Sequence, residues 1–241
     1  VAGYKRIDVY AAAYSPPIST QVTCTSCADC TTCTNTPGNT CTLTTDISST
    51  DTCITVGNDN VTINCDGKTI SFNSLGTSSK YGITINARKN VTIENCTILA
   101  VSGGTGVIPI FLNNINSSRV FNNTLRSAGL NSNNGIFMRE SNYNRIEGNR
   151  VNATAATTTN VGIRLYLYNT HNNITGNIII TNGTGSNHGI SLEDTFSENN
   201  TVSNNIIISG GNDITNYGFS TYASHNRITN NSINTTGNSQ N

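Results

Sequence analysis

Eight cysteines are the residues of this chain best suited to covalent or metal chemistry, and they all lie within its first two fifths. The first four form a C-x2-C-x2-C-x2-C run, which is close to an iron–sulfur ligand run but has a last spacing one residue too short and no following Pro. An even number of cysteines in an Asn- and Thr-rich sequence instead favours disulfides and an extracellular setting. We therefore expect disulfides and no metal or other cofactor, with these cysteines bonded: Cys24, Cys27, Cys30, Cys33, Cys41, Cys53, Cys65 and Cys96.

Two of the disulfide pairings are predicted. Cys65 and Cys96 fall near one another in consecutive copies of a repeat described below, so we pair them. We also pair Cys41 with Cys53. The spacing of the first four cysteines does not decide their pairing, which stays open.

Acidic and basic side chains are few and scattered. Charged residues make up 11% of the 241 residues, with 13 Lys and Arg against 13 Asp and Glu, so nothing indicates nucleic-acid binding.

No apolar stretch is long enough to span a membrane, and the first residues lack both an initiator Met and the pattern of a signal peptide, as expected of a processed chain. Neither adjacent aspartates nor paired carboxylates occur in an enzyme-like arrangement, and we interpret His188 as an ordinary turn residue. We predict no catalytic residues.

A short motif recurs every 26 to 28 residues from Ile93 onward: IENCTI, VFNNTL, IEGNRV, ITGNII, VSNNII and ITNNSI. A second motif, including NGIFM, VGIRL and HGISL, keeps the same period, and both alternate apolar and polar residues as strands with one buried face do. This repeat predicts an all-β parallel solenoid of about seven coils. One shared Asn position should form an inward ladder of stacked amides, comprising Asn123, Asn149, Asn177, Asn205 and Asn231.

The segments VTINCDGKTI and NVTIENCTI, the GIxL…NxIxxN cadence and the Cys-rich opening resemble the right-handed parallel β-helix repeat proteins, in particular secreted archaeal members with NosD-like, carbohydrate-associated coils. The resemblance implies a right-handed parallel β-helix with a disulfide-rich N-terminal cap. It implies little about function, because lyases, hydrolases, epimerases, adhesins and surface-layer proteins share this fold. We divide the chain into an N-terminal arm (1–23), a Cys-rich cap (24–57) and the β-helix (58–241).

Stacking of the Gly-Ile strands should place aromatic and charged side chains together on one outward face. Such a surface could bind a carbohydrate or a protein partner. The simpler alternative is a solvent-exposed face with cross-strand ion pairs, such as Arg164 with Glu193. The candidate residues are Phe137, Arg139, Arg164, Tyr166, Glu193 and Tyr222.

No capping segment follows the last motif, and an unpaired edge of a solenoid invites another chain. We therefore expect an extracellular structural glycoprotein that assembles with itself, head to tail, into a cell-surface filament or coat. Its joint would involve the arm residues Ile7, Val9 and Tyr10. Alternatively, a polar loop could fold over the unpaired edge, or the last coil could be small and tolerate contact with water. The alternative function is that of a polysaccharide-binding or polysaccharide-degrading protein.

N-linked glycans are expected at N-x-S/T sequons, namely Asn60, Asn90, Asn116, Asn152, Asn173, Asn182, Asn199 and Asn234.

Overall fold

A computed structural model describes residues 19–155, 159–211 and 215–236, and in it the chain winds into a parallel β-helix. Each complete coil contributes one short strand to each of three parallel sheets. Seven coils have all three strands, one strand precedes them in a single sheet, and a last turn adds one strand to each of two sheets. The repeat therefore folds as the sequence predicts.

The strands of the three sheets are as follows. Sheet A contains β1 (Gln21–Cys24), β2 (Thr40–Leu43), β5 (Thr62–Asn64), β8 (Thr92–Glu94), β11 (Arg119–Phe121), β14 (Arg145–Glu147), β17 (Asn173–Thr175), β20 (Thr201–Ser203) and β23 (Arg227–Thr229). Sheet B contains β3 (Ile47–Ser48), β6 (Thr69–Phe72), β9 (Thr97–Ala100), β12 (Thr124–Gly129), β15 (Arg150–Ala155), β18 (Ile178–Asn182), β21 (Ile206–Ser209) and β24 (Ser232–Thr235). Sheet C contains β4 (Ile54–Val56), β7 (Tyr81–Asn86), β10 (Ile108–Asn113), β13 (Asn134–Arg139), β16 (Asn160–Tyr166), β19 (Asn187–Leu192) and β22 (Tyr217–Thr221).

The core is a set of apolar columns that run along the helix axis. Because each strand is paired in register with its counterpart one coil away, equivalent inward residues lie directly above one another. In sheet C one such column holds Ile54, Ile83, Ile110, Ile136, Ile163 and Ile190, all fully buried. Branched apolar side chains suit this position because they pack against the same residue type above and below.

Asparagine ladders line all three corners of the coil. At the corner between sheets A and B, the side-chain amide of each member donates to the side-chain oxygen of the next, as from Asn149 to Asn177 at 3.0 Å. The same oxygen also accepts the backbone N–H of the donating residue, here Asn149, so each side chain satisfies polar groups that would otherwise be buried without a partner. This ladder is the predicted one, Asn123, Asn149, Asn177, Asn205 and Asn231. Two further ladders were not predicted: Asn144, Asn172, Asn200 and Asn226 between sheets C and A, and Asn160, Asn187 and Asn216 between sheets B and C.

The residue before each A–B ladder asparagine turns the chain with a positive φ. Asn122 (φ 53°), Asn204 (φ 55°), Gly148 (φ 61°) and Gly176 (φ 66°) occupy this position in different coils. The left-handed region is costly for most L-residues but accessible to Gly and to Asn. Asn and Gly are thus frequent because the corners require them.

A short helix, α1 (Cys27–Cys33), packs against β1, β2 and β4 at the N-terminal end of the stack. Two disulfides attach it there, Cys27–Cys53 and Cys30–Cys41. The predicted Cys41–Cys53 bridge is therefore wrong, because each of these cysteines pairs with a residue of α1.

The remaining cysteines divide into one bridge and two thiols. Cys65 and Cys96 form the predicted bridge between consecutive coils. Cys24 and Cys33 are buried free thiols, contrary to the expectation that all eight are bonded. Burial, together with the neighbouring Cys33, raises the pKa of the Cys24 thiol to about 12. Although the Cys24 sulfur lies within 4.8 Å of Cys30 and Cys41, those two are bonded to each other and offer no thiolates to a metal.

The coils begin earlier than the predicted boundary at residue 58, because β2, β3 and β4 already form a complete coil. The Cys-rich segment thus supplies both α1 and the first coil. Over the described ranges, no helix has the length and apolar character needed to cross a membrane.

Candidate functional site

The outward face of sheet C collects the candidate residues predicted from the sequence. Phe137 lies opposite Arg164, and Arg164 lies opposite Ser191, in a single column along the axis. Arg139 lies opposite Tyr166 in the adjacent column. Glu193 and Tyr222 directly follow β19 and β22, and their backbone N–H groups donate to the preceding coil, which continues the same column. The register of parallel strands therefore brings residues from four coils onto one surface.

A row of aromatic rings runs along this face. Tyr81 stacks on Phe111 with their ring centroids 4.9 Å apart, Phe111 is followed by Phe137 at 5.4 Å, and Phe137 by Tyr166 at 6.3 Å. The last two pairs are tilted, at 52° and 57°, so their faces are only partly covered by one another. Tilted rings with free faces can pack against a flat, largely apolar ligand surface.

Arg164 and Glu193 form the centre of the surface. The Nε and Nη2 atoms of Arg164 both donate to Oε2 of Glu193, with the Nε bond at 2.8 Å. The guanidinium carbon also lies 4.9 Å from the Phe137 ring centroid and 5.3 Å from that of Tyr166, within the range of cation–π contacts. The side chains are 28% and 21% exposed, so this predicted ion pair is more shielded than a typical surface pair.

Two clefts flank this ion pair, and Glu193 contributes to both. The smaller, of about 280 Å³, is lined by Arg164 and by Ser132, Asn134, Thr159 and Val161. The larger, of about 410 Å³, is lined by Ser186, His188, Ser191, Thr215, Tyr217, Ser220 and Tyr222. Hydroxyl, amide and aromatic groups thus dominate the lining of the two clefts, which together form a trough along the helix axis.

His188 belongs to this trough, and its interpretation as an ordinary turn residue is wrong. It lies in β19, and its ring stacks on Tyr217 with the centroids 5.3 Å apart. Burial lowers the pKa of His188, and nearby Arg164 lowers it further, whereas Glu193 acts in the opposite direction. His188 is therefore neutral at pH 7. Its Nδ1 atom has no hydrogen-bond partner among the described residues.

Two further groups of positions were predicted from the sequence. The arm residues Ile7, Val9 and Tyr10 fall outside the described residues. Among the sequon asparagines, Asn152 and Asn173 are half-buried, and the others are exposed, namely Asn60, Asn90, Asn116, Asn182, Asn199 and Asn234.

Several aromatic residues of this surface were missed in the sequence. Extending the strand register of sheet C by one coil before β13 would have found Phe111, and by two coils Tyr81. Tyr217 lies in β22, the strand that Tyr222 follows. A second group, at the corner after sheet C, forms the stacked pairs Tyr143–His171 and Tyr168–Phe196, with centroids 4.7 and 4.9 Å apart. These separations match the spacing of the coils, so each ring covers a face of its partner and the pairs primarily join adjacent coils.

The fold and this geometry can be compared with known proteins. A family profile described as the right-handed beta helix region matches residues 38–233, so the chain belongs to the right-handed beta helix family. No curated protein sequence matches the chain significantly.

Among solved structures, a periplasmic alginate epimerase is similar with a TM-score of 0.43 and 13% identity, covering 82% of this chain and 61% of the epimerase. An alginate lyase from Paenibacillus has a TM-score of 0.36 and 12% identity, covering 92% of this chain and 99% of the lyase. A pectate lyase variant from Xanthomonas campestris has a TM-score of 0.38 and 10% identity, covering 92% and 80%. The chain thus spans about three fifths of the epimerase. At these identities the similarity concerns the fold alone.

Proposed function

We propose that this protein binds a polysaccharide along the outward face of sheet C. The observation that carries this proposal is the combination of a tilted aromatic row with two polar clefts on either side of the Arg164–Glu193 pair. A sugar ring presents apolar C–H faces and a rim of hydroxyl groups. Aromatic faces suit the former, and the hydroxyl and amide side chains of the clefts suit the latter.

The shape of the site favours a chain-like ligand over a small molecule. The two clefts are lined by residues of four consecutive coils and share Glu193, so a ligand that fills both must extend along the helix axis. Equivalent strands stand about 4.8 Å apart, so successive coils present outward side chains at a regular interval. A polymer of similar units can use such a surface repeatedly, and its affinity then comes from many weak contacts.

Affinity electrophoresis through gels containing soluble polysaccharides tests the proposal. The informative variants are Phe137→Ala, and Arg164→Ala combined with Glu193→Ala so that neither charge is left unpaired. We expect each to weaken binding by about tenfold or more, a loss of about 1.4 kcal/mol.

Phe121→Ala is a matched control for Phe137→Ala. Phe121 is also a partly exposed ring beneath an arginine, since Arg119 lies 4.1 Å from its centroid, but it belongs to sheet A. This variant should bind like the unsubstituted protein. Equal losses in Phe121→Ala and Phe137→Ala would argue against a site on sheet C.

Head-to-tail assembly is the second candidate, and one observation favours it. Ile228 and Ile233 of the last turn are 38% and 47% exposed, although their counterparts one coil earlier, Val202 and Ile207, are buried. An apolar coil end of this kind could pack against another copy. Electron microscopy of the native protein beside a version lacking residues 1–16 tests this idea. Filaments that disappear with the arm would support it, and single particles in both samples would contradict it.

An extracellular location is part of the proposal, supported by the three disulfides, which persist mainly in oxidising compartments. The narrower resemblance to secreted archaeal, NosD-like, carbohydrate-associated proteins also remains a proposal, as does N-glycosylation. Peptide mapping by mass spectrometry of protein from its native source would identify any occupied sequons.

A further inference from the structure

The charges around the trough are paired with one another. Among the described residues that line the two clefts, the side chains charged at pH 7 are Arg164 and Glu193, which bind each other. The flanking Arg139 is bonded to Glu140 through its Nε atom at 3.0 Å. The trough therefore carries two opposite charges close together and little net field.

Arg164 is poorly placed to receive an anionic ligand. Its Nε–Nη2 edge, the edge that grips a carboxylate with two hydrogen bonds, is taken by Glu193. Its guanidinium carbon also lies over the rings of Phe137 and Tyr166, which limits approach from that side. A carboxylate or sulfate group would have to displace Glu193 and would then stand beside an unpaired, partly buried carboxylate. Both steps cost free energy, because a shielded charge that loses its partner is poorly solvated and because like charges repel.

The rest of the lining suits hydroxyl groups. Ser191, Ser220, Tyr217 and Tyr222 place neutral donors or acceptors around the larger cleft. The lowered pKa of His188 keeps that ring neutral as well. Neutral groups of this kind exchange hydrogen bonds with sugar hydroxyls without requiring a charge on the ligand.

From this arrangement we propose that the trough selects an uncharged polysaccharide and that Glu193 excludes acidic ones by occupying Arg164. The inference rests on the proposed function, since it concerns the same trough. It assigns Glu193 the role of a specificity determinant. A site with an unpaired arginine would prefer acidic polysaccharides, so the predicted preference for uncharged ones is the opposite.

Affinity electrophoresis with two classes of probe tests the inference. Soluble β-glucan and mannan serve as neutral probes, and polygalacturonate and dextran sulfate serve as acidic ones. We expect at least one neutral polysaccharide to bind about tenfold more tightly than either acidic one. Binding of the neutral polysaccharide should change little between about 20 mM and about 500 mM NaCl, because this ligand carries no charge.

Glu193→Gln should switch this preference. The substitution keeps the shape of the side chain but makes it neutral and releases Arg164. We expect binding of polygalacturonate to strengthen by about tenfold and to become sensitive to salt. Glu147→Gln is the matched control, because Glu147 also pairs with arginines, Arg119 and Arg145, but lies on sheet A. It changes the net charge equally without altering the trough.

Each outcome bears on a different claim. Tight, salt-sensitive binding of acidic polysaccharide by the unsubstituted protein would overturn the inference while leaving the proposed function intact. An equal gain in Glu147→Gln and Glu193→Gln would also overturn it, since the effect would then follow net charge alone. If neither probe class binds to any of the three proteins, the proposed function fails and the inference fails with it.

Discussion

Replacing Asn177 with Ala should remove one rung of the buried ladder between sheets A and B. The side-chain oxygen of Asn177 accepts from the backbone N–H of Asn149 at 2.9 Å and from its side-chain amide at 3.0 Å. The Asn177 amide donates to the backbone oxygen of Ile146 and to Asn205. After the substitution the Asn149 backbone N–H is buried without a partner, and the Ile146 oxygen loses one of its donors. At about 1–3 kcal/mol for an unsatisfied buried group, and less for a weakened one, we expect a loss of about 2–4 kcal/mol.

Guanidinium unfolding followed by far-ultraviolet circular dichroism measures this loss, on protein made without glycosylation. Asn182→Ala is the matched control, because Asn182 belongs to the same coil but is exposed. Its effect should stay within about 0.5 kcal/mol. Hydrogen exchange at the Asn149 amide should accelerate in Asn177→Ala and not in the control. If the two variants lose the same stability, the ladder bonds contribute little and the reasoning is refuted.

Three further predictions concern the cap and the core. Replacing Cys27 and Cys53 together with Ser should cost about 3.5 kcal/mol in thermal or guanidinium unfolding, because their bridge spans 26 residues; an unchanged midpoint would contradict this. Iodoacetamide at pH 8 should leave the native protein unmodified, because Cys24 and Cys33 are buried and their pKa values are raised. After unfolding without reductant, intact mass spectrometry should show both thiols labelled, and rapid labelling of the native protein would refute this prediction. Gly162→Ala should destabilise by about 1–3 kcal/mol in the same unfolding assay, because its new methyl would lie 2.6 Å from a backbone oxygen of the next coil, and a neutral result would mean that the coils can separate easily.

The coil architecture could be predicted because the sequence repeats its own pairing information. Two motifs in phase fix both the length of the coil and the register of its strands, and this register places Phe137 opposite Arg164. The asparagine ladder between sheets C and A could have been predicted in the same way. Asn172 precedes Asn177 by five residues, and Asn200 precedes Asn205 by five, so the same cadence marks two corners.

The cap could not be predicted in the same way, because it is not repeated. Cys27 and Cys30 are three residues apart, which on a helix places them on the same side. Without knowing that this segment is helical, spacing alone does not reveal that the two residues bond to different parts of the first coil. Likewise, the Gly-Ile motif does not reveal where its strand begins, and β19 starts at Asn187 and so includes His188.

Stability and function occupy different positions in each coil. Inward apolar residues and corner asparagines are committed to packing and to buried hydrogen bonds, as Ile163 and Asn177 illustrate. Outward positions are free of both demands, and only on sheet C do they combine, among the described residues, a continuous row of rings with a shielded ion pair. Substitution of Phe137 should therefore change polysaccharide binding with little effect on unfolding, whereas substitution of Asn177 should do the reverse. This separation explains how a repeat with so little chemical variety can carry a specific site, because a few outward residues are enough to define it.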